Sequence, residues 1–465
     1  MIFNSFSFLF FFLILALVLA FTHEKKYRHI ELLVASYIFY GCWDWRFCSL
    51  LLGVTVVAYI CSKMMVKCNY AKIYLIIGVV FPIVALCIFK YFNFFLNTFC
   101  SLFGINGNYI QIILPVGISF YTFQAISYIA DVYKKKIDHC ESFVDLALYI
   151  SFFPQLVAGP IVRAVDFLPQ LKEDRRITFK NLELGSQIFL LGLFKKIVIA
   201  DHIAVFVDEI YARPGIFNGQ TILLSIFAYS IQIYCDFSGY SDMAIGCAKC
   251  IGYDLRENFN IPYISKNISE FWKRWHISLS NWLMEYLYIP LGGNRKGLRR
   301  TLINLMITML LGGLWHGASW NFVIWGGIHG AALCIHKIIL LRKTKEDGNL
   351  FYSIISVIIT FSFVSFVWVF FRADSIETAI VILTGIFRWK TGISHMFFWA
   401  FVGMVFVAIE TTMKYKMAQI RKNRKDFSFY LDLSSLIGLT AFFTAIGFTL
   451  GLAYVGSNPF IYFQF

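Results

Sequence analysis

Of the nine histidines in this chain, two sit where an imidazole could do chemistry. His316 lies in LGGLWHGASW, between two apolar stretches, with Gly312, Gly313 and Gly317 interrupting the helical run. An ionisable side chain at membrane depth is costly and by default marks a functional site. Glycines on both sides let backbone or a ligand come close. Imidazole titrates near 6.5, so it can take a proton and return it at neutral pH. The plainer reading is a core histidine satisfied by a backbone carbonyl. His276 lies in FWKRWHISLSNW, among the hydrogen-bonding neighbours Arg274, Ser278, Ser280 and Asn281. Its plainer reading is an interfacial anchor, a belt of Trp272, Trp275 and Trp282 with Lys273 and Arg274. His23, His29, His139, His202 and His395 read as surface or interfacial residues.

Other chemistries find little support. A transport pathway wants carboxylates within spans as ion relays. The candidates are Asp131, Asp236, Asp242 and Glu410, of which only Asp236 and Asp242 sit together, in YCDFSGYSDMAIG. That patch reads as a hydrogen-bond knot or a cavity wall. No Walker-type glycine loop and no GxSxG elbow occurs, which leaves nucleotide hydrolysis and serine-hydrolase chemistry without a site. The 11 cysteines show no zinc spacing backed by histidines, so no metal site is expected. The one CxxC, Cys247 to Cys250, ends an apolar segment, where cysteine acts as a small hydrophobe.

The elements that must position the two histidines are helices in a bilayer. Of 465 residues, 59% are hydrophobic and 15% charged, with 51 Phe and a mean hydropathy of +0.68. Soluble domains average roughly 25% charged residues. Spans of about 20 apolar residues are expected at Asn4–Thr22, Ile30–Trp43, Phe47–Ser62, Ile73–Lys90, Ile110–Asp131, Leu182–Asp208 and Thr221–Ile245. Further ones follow at Thr301–Leu314, Ser319–Ile339, Leu350–Phe371, His395–Met413 and Leu433–Val455. Phe143–Gln155 is apolar but short, and reads as re-entrant. The fold class is therefore all-α, a polytopic membrane bundle of about 11–13 spans read as one domain over 1–465. The run Ile2–Phe21 has no basic residue before it and reads as a retained first span.

The net charge of +14 is topology: most Lys and Arg residues fall in segments that alternate to one side when the N-terminus is placed outside. Both termini then face the periplasm. A nucleic-acid partner is not expected, because no basic groove with interleaved aromatics is visible. The longest region between spans, from about Ala248 to Arg300, holds EFWKRWHISLSNWLMEYLYIPLGG. It reads as interfacial and broken helices, with Pro290 and Gly292–Gly293 as breakers.

LPVGISFYTFQAISYIADVY, SFFPQLVAGPIVR, YCDFSGYSDMAIG, FWKRWHISLSNWL, LGGLWHGASWNFVIWG, WVFFRADS and the terminal NPFIYFQF together resemble the membrane-bound O-acyltransferase family. The resemblance is collinear from Trp43 to the last residue and is nearest to the bacterial polysaccharide O-acetyltransferase branch. It implies a bundle around a central funnel or tunnel in the bacterial inner membrane. It also implies that His316, the WHG histidine, is essential, with His276 as the second family histidine.

By the same resemblance the donor is a cytoplasmic thioester, acetyl-coenzyme A, with no permanently bound cofactor. The acetyl group passes to a cell-envelope polysaccharide with a periplasmic SGNH-hydrolase-like partner; peptidoglycan, the commoner acceptor in bacteria, is expected ahead of alginate or another exopolysaccharide. A hydroxyl attacks a thioester slowly at neutral pH unless a base within about 2.6–3.2 Å takes its proton, and His316 is expected to be that base. His276, with Ser280 or Asn281, is expected to orient the donor or stabilise the oxyanion. Lys273, Arg274, Ser280, Asn281 and Trp315 are the expected donor-binding residues, the cations meeting phosphates. The competing classes are a transporter or flippase and a passive membrane scaffold. A reporter that works only in the periplasm should be active when fused after Phe465 and silent at Lys422; the reverse pattern overturns the span count.

Overall fold

The computed structural model describes residues 1–105, 110–342, 350–389, 391–423, 430–456 and 458–461. Among these the regular structure is all helical, and the isolated bridge between Phe217 and Ile393 is the β pairing. Phe465, on which the C-terminal topology rests, lies outside the described residues. Among the described residues, five helices are long and apolar enough to cross a bilayer: Phe47–Lys67, Ala71–Phe103, Gly219–Cys250, Trp320–Leu341 and Leu350–Arg372. Phe6–Phe21, Ile376–Gly385 and Leu436–Gly451 are apolar but shorter. The protein is a multi-pass membrane protein.

Several expected apolar segments take a different form because lysine, glycine or proline interrupts them. Leu182–Asp208 is two helices, Phe179–Phe194 and Asp201–Ala212, joined by a π-helical turn over Lys195–Ala200. In Ile110–Asp131 the helix begins only at Ile118, entered through Gly117 at φ +75°. A Cβ there would lie 2.5 Å from the Leu156 carbonyl oxygen, so both conformation and space require glycine. The apolar stretch Phe143–Gln155 is likewise broken, into Phe143–Ser151 and Phe153–Leu156, with Phe152 between them.

The chain forms two compact units. The first comprises Met1–Phe189 and Met243–Arg256. Its core is the helix Ile118–Tyr133, buried over most of its length, with phenylalanines such as Phe8, Phe39 and Phe153 packed edge-on or tilted. Its buried Arg28 is held by Asp174 and the Arg175 carbonyl, and His29 pairs with Asp145 at 2.7 Å.

The second unit comprises Leu190–Asp242 and Glu257–Phe465. Lys195, fully buried, pairs with Asp242 at 2.9 Å and Glu410 at 2.6 Å. Lys196 pairs with Asp201 at 2.8 Å and Asp236 at 2.6 Å. Buried ions persist only when paired in this way, so Asp236 and Asp242 form the structural knot that the sequence suggested. The C-terminal segment reaches the same knot: the Ile461 N–H donates to Asp236 Oδ2 at 2.8 Å.

In this unit a helical hairpin, Gly297–His316 and Trp320–Arg342, carries the WHG motif at its turn. The two backbones nearly touch. A Cβ on Gly313 would lie 2.2 Å from the Phe322 carbonyl oxygen, and one on Gly326 would lie 2.3 Å from the Met309 carbonyl oxygen. Small residues at helix crossings in membranes permit this approach. Gly326→Ala should therefore force the hairpin apart and destabilise the protein by about 1–3 kcal/mol, read as a lower melting temperature in detergent. Gly327→Ala, whose Cβ would make an ordinary 3.5 Å contact with Leu310, should melt near wild type.

Candidate active site

His316 is the last residue of the helix Gly297–His316 and is buried. The chain then turns at Gly317, where a Cβ would strike the Phe322 ring at 2.1 Å. The imidazole is walled by aromatic rings: Trp315, Trp325 and Phe371 stand edge-on at 5.1, 5.1 and 5.2 Å between centroids. It opens on a cavity of about 360 Å³. Lys273, Ser280 and Asn281 line the same cavity, together with Trp272, Trp325 and, farther along, His336 and Lys337. The helix from Trp325 to Lys337 runs about 18 Å at 1.5 Å per residue, so the cavity is a slot with His316 toward one end and lysine toward the other.

Two of the expected donor-binding residues lie apart from that lining. Arg274 makes an i,i+4 ion pair with Glu270 at 2.9 Å and donates to the Asn260 carbonyl at 3.2 Å. Trp315 is buried beside both histidines, 6.1 Å from the His276 ring and 5.1 Å from that of His316. The tryptophans of the expected interfacial belt face inward: Trp275 and Trp282 are buried and Trp272 is half-buried.

His276 has no solvent exposure. Its backbone is left-handed, φ +42° and ψ 55°, and it caps the short helix Ile277–Leu283. A bulky residue with positive φ is uncommon and costs of order 1–3 kcal/mol unless its surroundings hold it. Asn258 does the holding. The Ile277 N–H donates to its backbone carbonyl at 2.9 Å, and the Ser278 N–H and Oγ–H donate to its Oδ1 at 3.2 and 2.9 Å. The same oxygen lies 3.1 Å from His276 Nδ1. Since a backbone N–H can only donate, Oδ1 is correctly an acceptor, and the network assigns the proton to Nδ1. Burial pushes the imidazole down to about 3, so it is neutral at physiological pH. Nε2 then carries a lone pair, and it has no protein partner among the described residues.

The two histidine rings lie 6.4 Å apart. Phe237 stands edge-on to His276 at 4.7 Å, and Phe460 of the C-terminal segment packs on Phe237 and Tyr240 at 6.0 and 4.4 Å. The Ser280 N–H donates to the His276 backbone carbonyl at 3.0 Å, but its Oγ donates to the Trp275 carbonyl at 3.3 Å, and the imidazole Nδ1 meets Asn258 instead. Asn258, which orients His276, escapes sequence reasoning because it is 18 positions upstream in an unremarked NFNIPY run. Trp325, His329 and Lys337 read as the apolar face and basic end of a span. The i,i+4 placement of Trp325 and His329 was the available signal.

The site described here lies within a recognised family. The family model for membrane-bound O-acyltransferases matches residues 134–345. The chain is 43% identical over 387 residues to the probable alginate O-acetylase AlgI of Pseudomonas aeruginosa, covering 82% of this chain and 73% of the relative. It is 38% identical over 395 residues to the peptidoglycan O-acetyltransferase of Helicobacter pylori, covering 79% and 75%. It is 29% identical over 268 residues to the teichoic acid D-alanyltransferase of Bacillus subtilis, covering 54% and 67%. With matches of this extent added to a buried histidine on a cavity, the chain belongs to the membrane-bound O-acyltransferase family and is an O-acyltransferase.

Proposed function

We propose that this enzyme takes an acetyl group from a thioester, acetyl-coenzyme A, and passes it across the bacterial inner membrane to a hydroxyl of a cell-envelope polysaccharide. The observation that carries this reading is one cavity shared by His316, Lys273, Ser280, Asn281 and Lys337. The lysines in its lining suit the phosphates of the donor, while the aromatic rings around His316 exclude water from the thioester. The hydroxyl oxygen attacks the carbonyl carbon, the carbon–sulfur bond breaks, and the hydroxyl proton passes through His316 to the departing thiolate.

His276 serves as an acceptor. With its proton on Nδ1, donation to an oxyanion from Nε2 would require the other tautomer, so its contribution is to hold a water or an N–H of the donor through the Nε2 lone pair, while the single proton of the attacking hydroxyl goes to His316. Delivery on the far side uses a periplasmic partner of the SGNH-hydrolase type. Peptidoglycan is the proposed glycan. The alginate-named relative, at 43% identity against 38% for the peptidoglycan one, supports alginate as the second reading, and mass spectrometry of O-acetyl groups on both glycans separates the two.

His316→Ala should lower acetyl transfer by about 10²- to 10⁴-fold, the usual worth of a general base, with membrane abundance near wild type. Loss of the protein from the membrane would instead make His316 structural. His276→Gln should cost less, and the double variant should be little slower than His316→Ala alone, because groups acting together are non-additive. Since burial holds His276 neutral from pH 5 to 8, His276→Gln should lower the pH–rate profile without changing its shape over that range. A vanished acidic limb in that variant would show that His276 titrates in turnover.

A further inference from the structure

His329 lies one helical turn beyond Trp325 and is fully buried. Its ring meets Trp325 at 4.8 Å and Trp272 at 5.1 Å, and those two indoles meet each other at 5.7 Å. Phe271, Phe363 and Trp368 close the remaining sides at 6.2, 5.9 and 6.4 Å. Five polar atoms within this cluster have no protein partner among the described residues: Nε1 of Trp272, of Trp325 and of Trp368, and both ring nitrogens of His329. Buried polar groups are ordinarily hydrogen-bonded, and leaving one unmet is costly. Trp272 and Trp325 also line the cavity that holds His316.

The chemistry of the cluster selects its ligand. Each indole offers one donor and no acceptor, and a neutral imidazole offers one of each. The six rings around the point carry no acid or base other than the imidazole. A charged group placed among them would lose its hydration without a counter-ion. A secondary amide matches instead: its carbonyl oxygen accepts two N–H groups, and its N–H finds the imidazole acceptor.

We infer that Trp272, Trp325 and His329 form an amide-binding subsite beside His316, which holds the amide nearest the sulfur in the arm of the thioester donor. This rests on the donor reading above. Its effect is to fix the arm so that the thioester carbonyl stops at His316, which makes these three positioning residues.

The test uses the full-length purified protein and two short donors. S-acetyl-N-acetylcysteamine keeps the amide nearest the sulfur; S-pentyl thioacetate has a similar length and none. Thiol release is followed for the wild type, His329→Leu and Trp272→Phe, the last keeping a ring but no N–H. The wild type should prefer the amide donor in kcat/KM by about tenfold or more, the worth of one buried hydrogen bond. Both variants should bring that ratio toward one. Scoring the ratio within each protein cancels any loss of folded enzyme. An amide preference that survives in either variant, or is absent in the wild type, overturns the subsite. A bound water in the cluster would slow both donors equally and so also overturn it. Failure of the wild type to cleave either donor would overturn the thioester reading and this one with it.

Discussion

The site depends on how closely two helices can approach. Gly313 and Gly326 bring the backbones of Gly297–His316 and Trp320–Arg342 to a separation that a single methyl group would prevent. Lipid is as apolar as the helices themselves, so the gain comes from dispersion across the crossing and not from burial. That contact sets Trp325 against His316, and through Trp325 it sets His329 and Trp272. Loosening the crossing would move every ring around the imidazole together, since packed aromatic walls have few intermediate arrangements.

A second constraint is imposed on His276 by a different means. Where the hairpin uses steric fit, the WHISLS turn uses hydrogen bonds to hold a strained backbone. Asn258 spends its carbonyl and its amide oxygen on three consecutive residues, 276 to 278, and donates to Ser241 at 3.2 Å. One side chain thereby fixes a dihedral angle, a tautomer and a ring direction. The two histidines are thus positioned independently, one by packing and one by polar contacts, and they converge on the same few ångströms.

Much of this was legible in the sequence, and the gaps have physical causes. His316 and His276 stood out because ionisable residues break apolar surroundings, and the helical class followed from composition. The span pattern blurred where charges sit inside apolar stretches: the π turn at Lys195–Ala200 absorbs two lysines that a hydropathy window averages away. Arg274 looked like a phosphate ligand because a local i,i+4 partner, Glu270, is not weighed by charge counting. Asn258 was invisible for a deeper reason, since its contact is made by tertiary folding and leaves no local period. His329 was hidden by its neighbours, as an imidazole in an aromatic run looks like one more core ring.

The lysine knot has a consequence for how the protein is made. Lys196 finds Asp201 five residues on in its own segment, whereas Lys195 leaves the ribosome 47 residues before Asp242 and more than 200 before Glu410. Each unpaired lysine at mid-bilayer costs roughly 2.5–3.5 kcal/mol on insertion scales. The segment carrying them therefore gains little by entering lipid alone. Its entry is favoured once Gly219–Cys250, which carries Asp242, has been synthesised and can partition with it as a neutralised pair. Glu410 completes the charge balance only when Phe398–Asn423 arrives. Electrostatics thus writes an order of assembly into a chain whose hydropathy alone would permit any order.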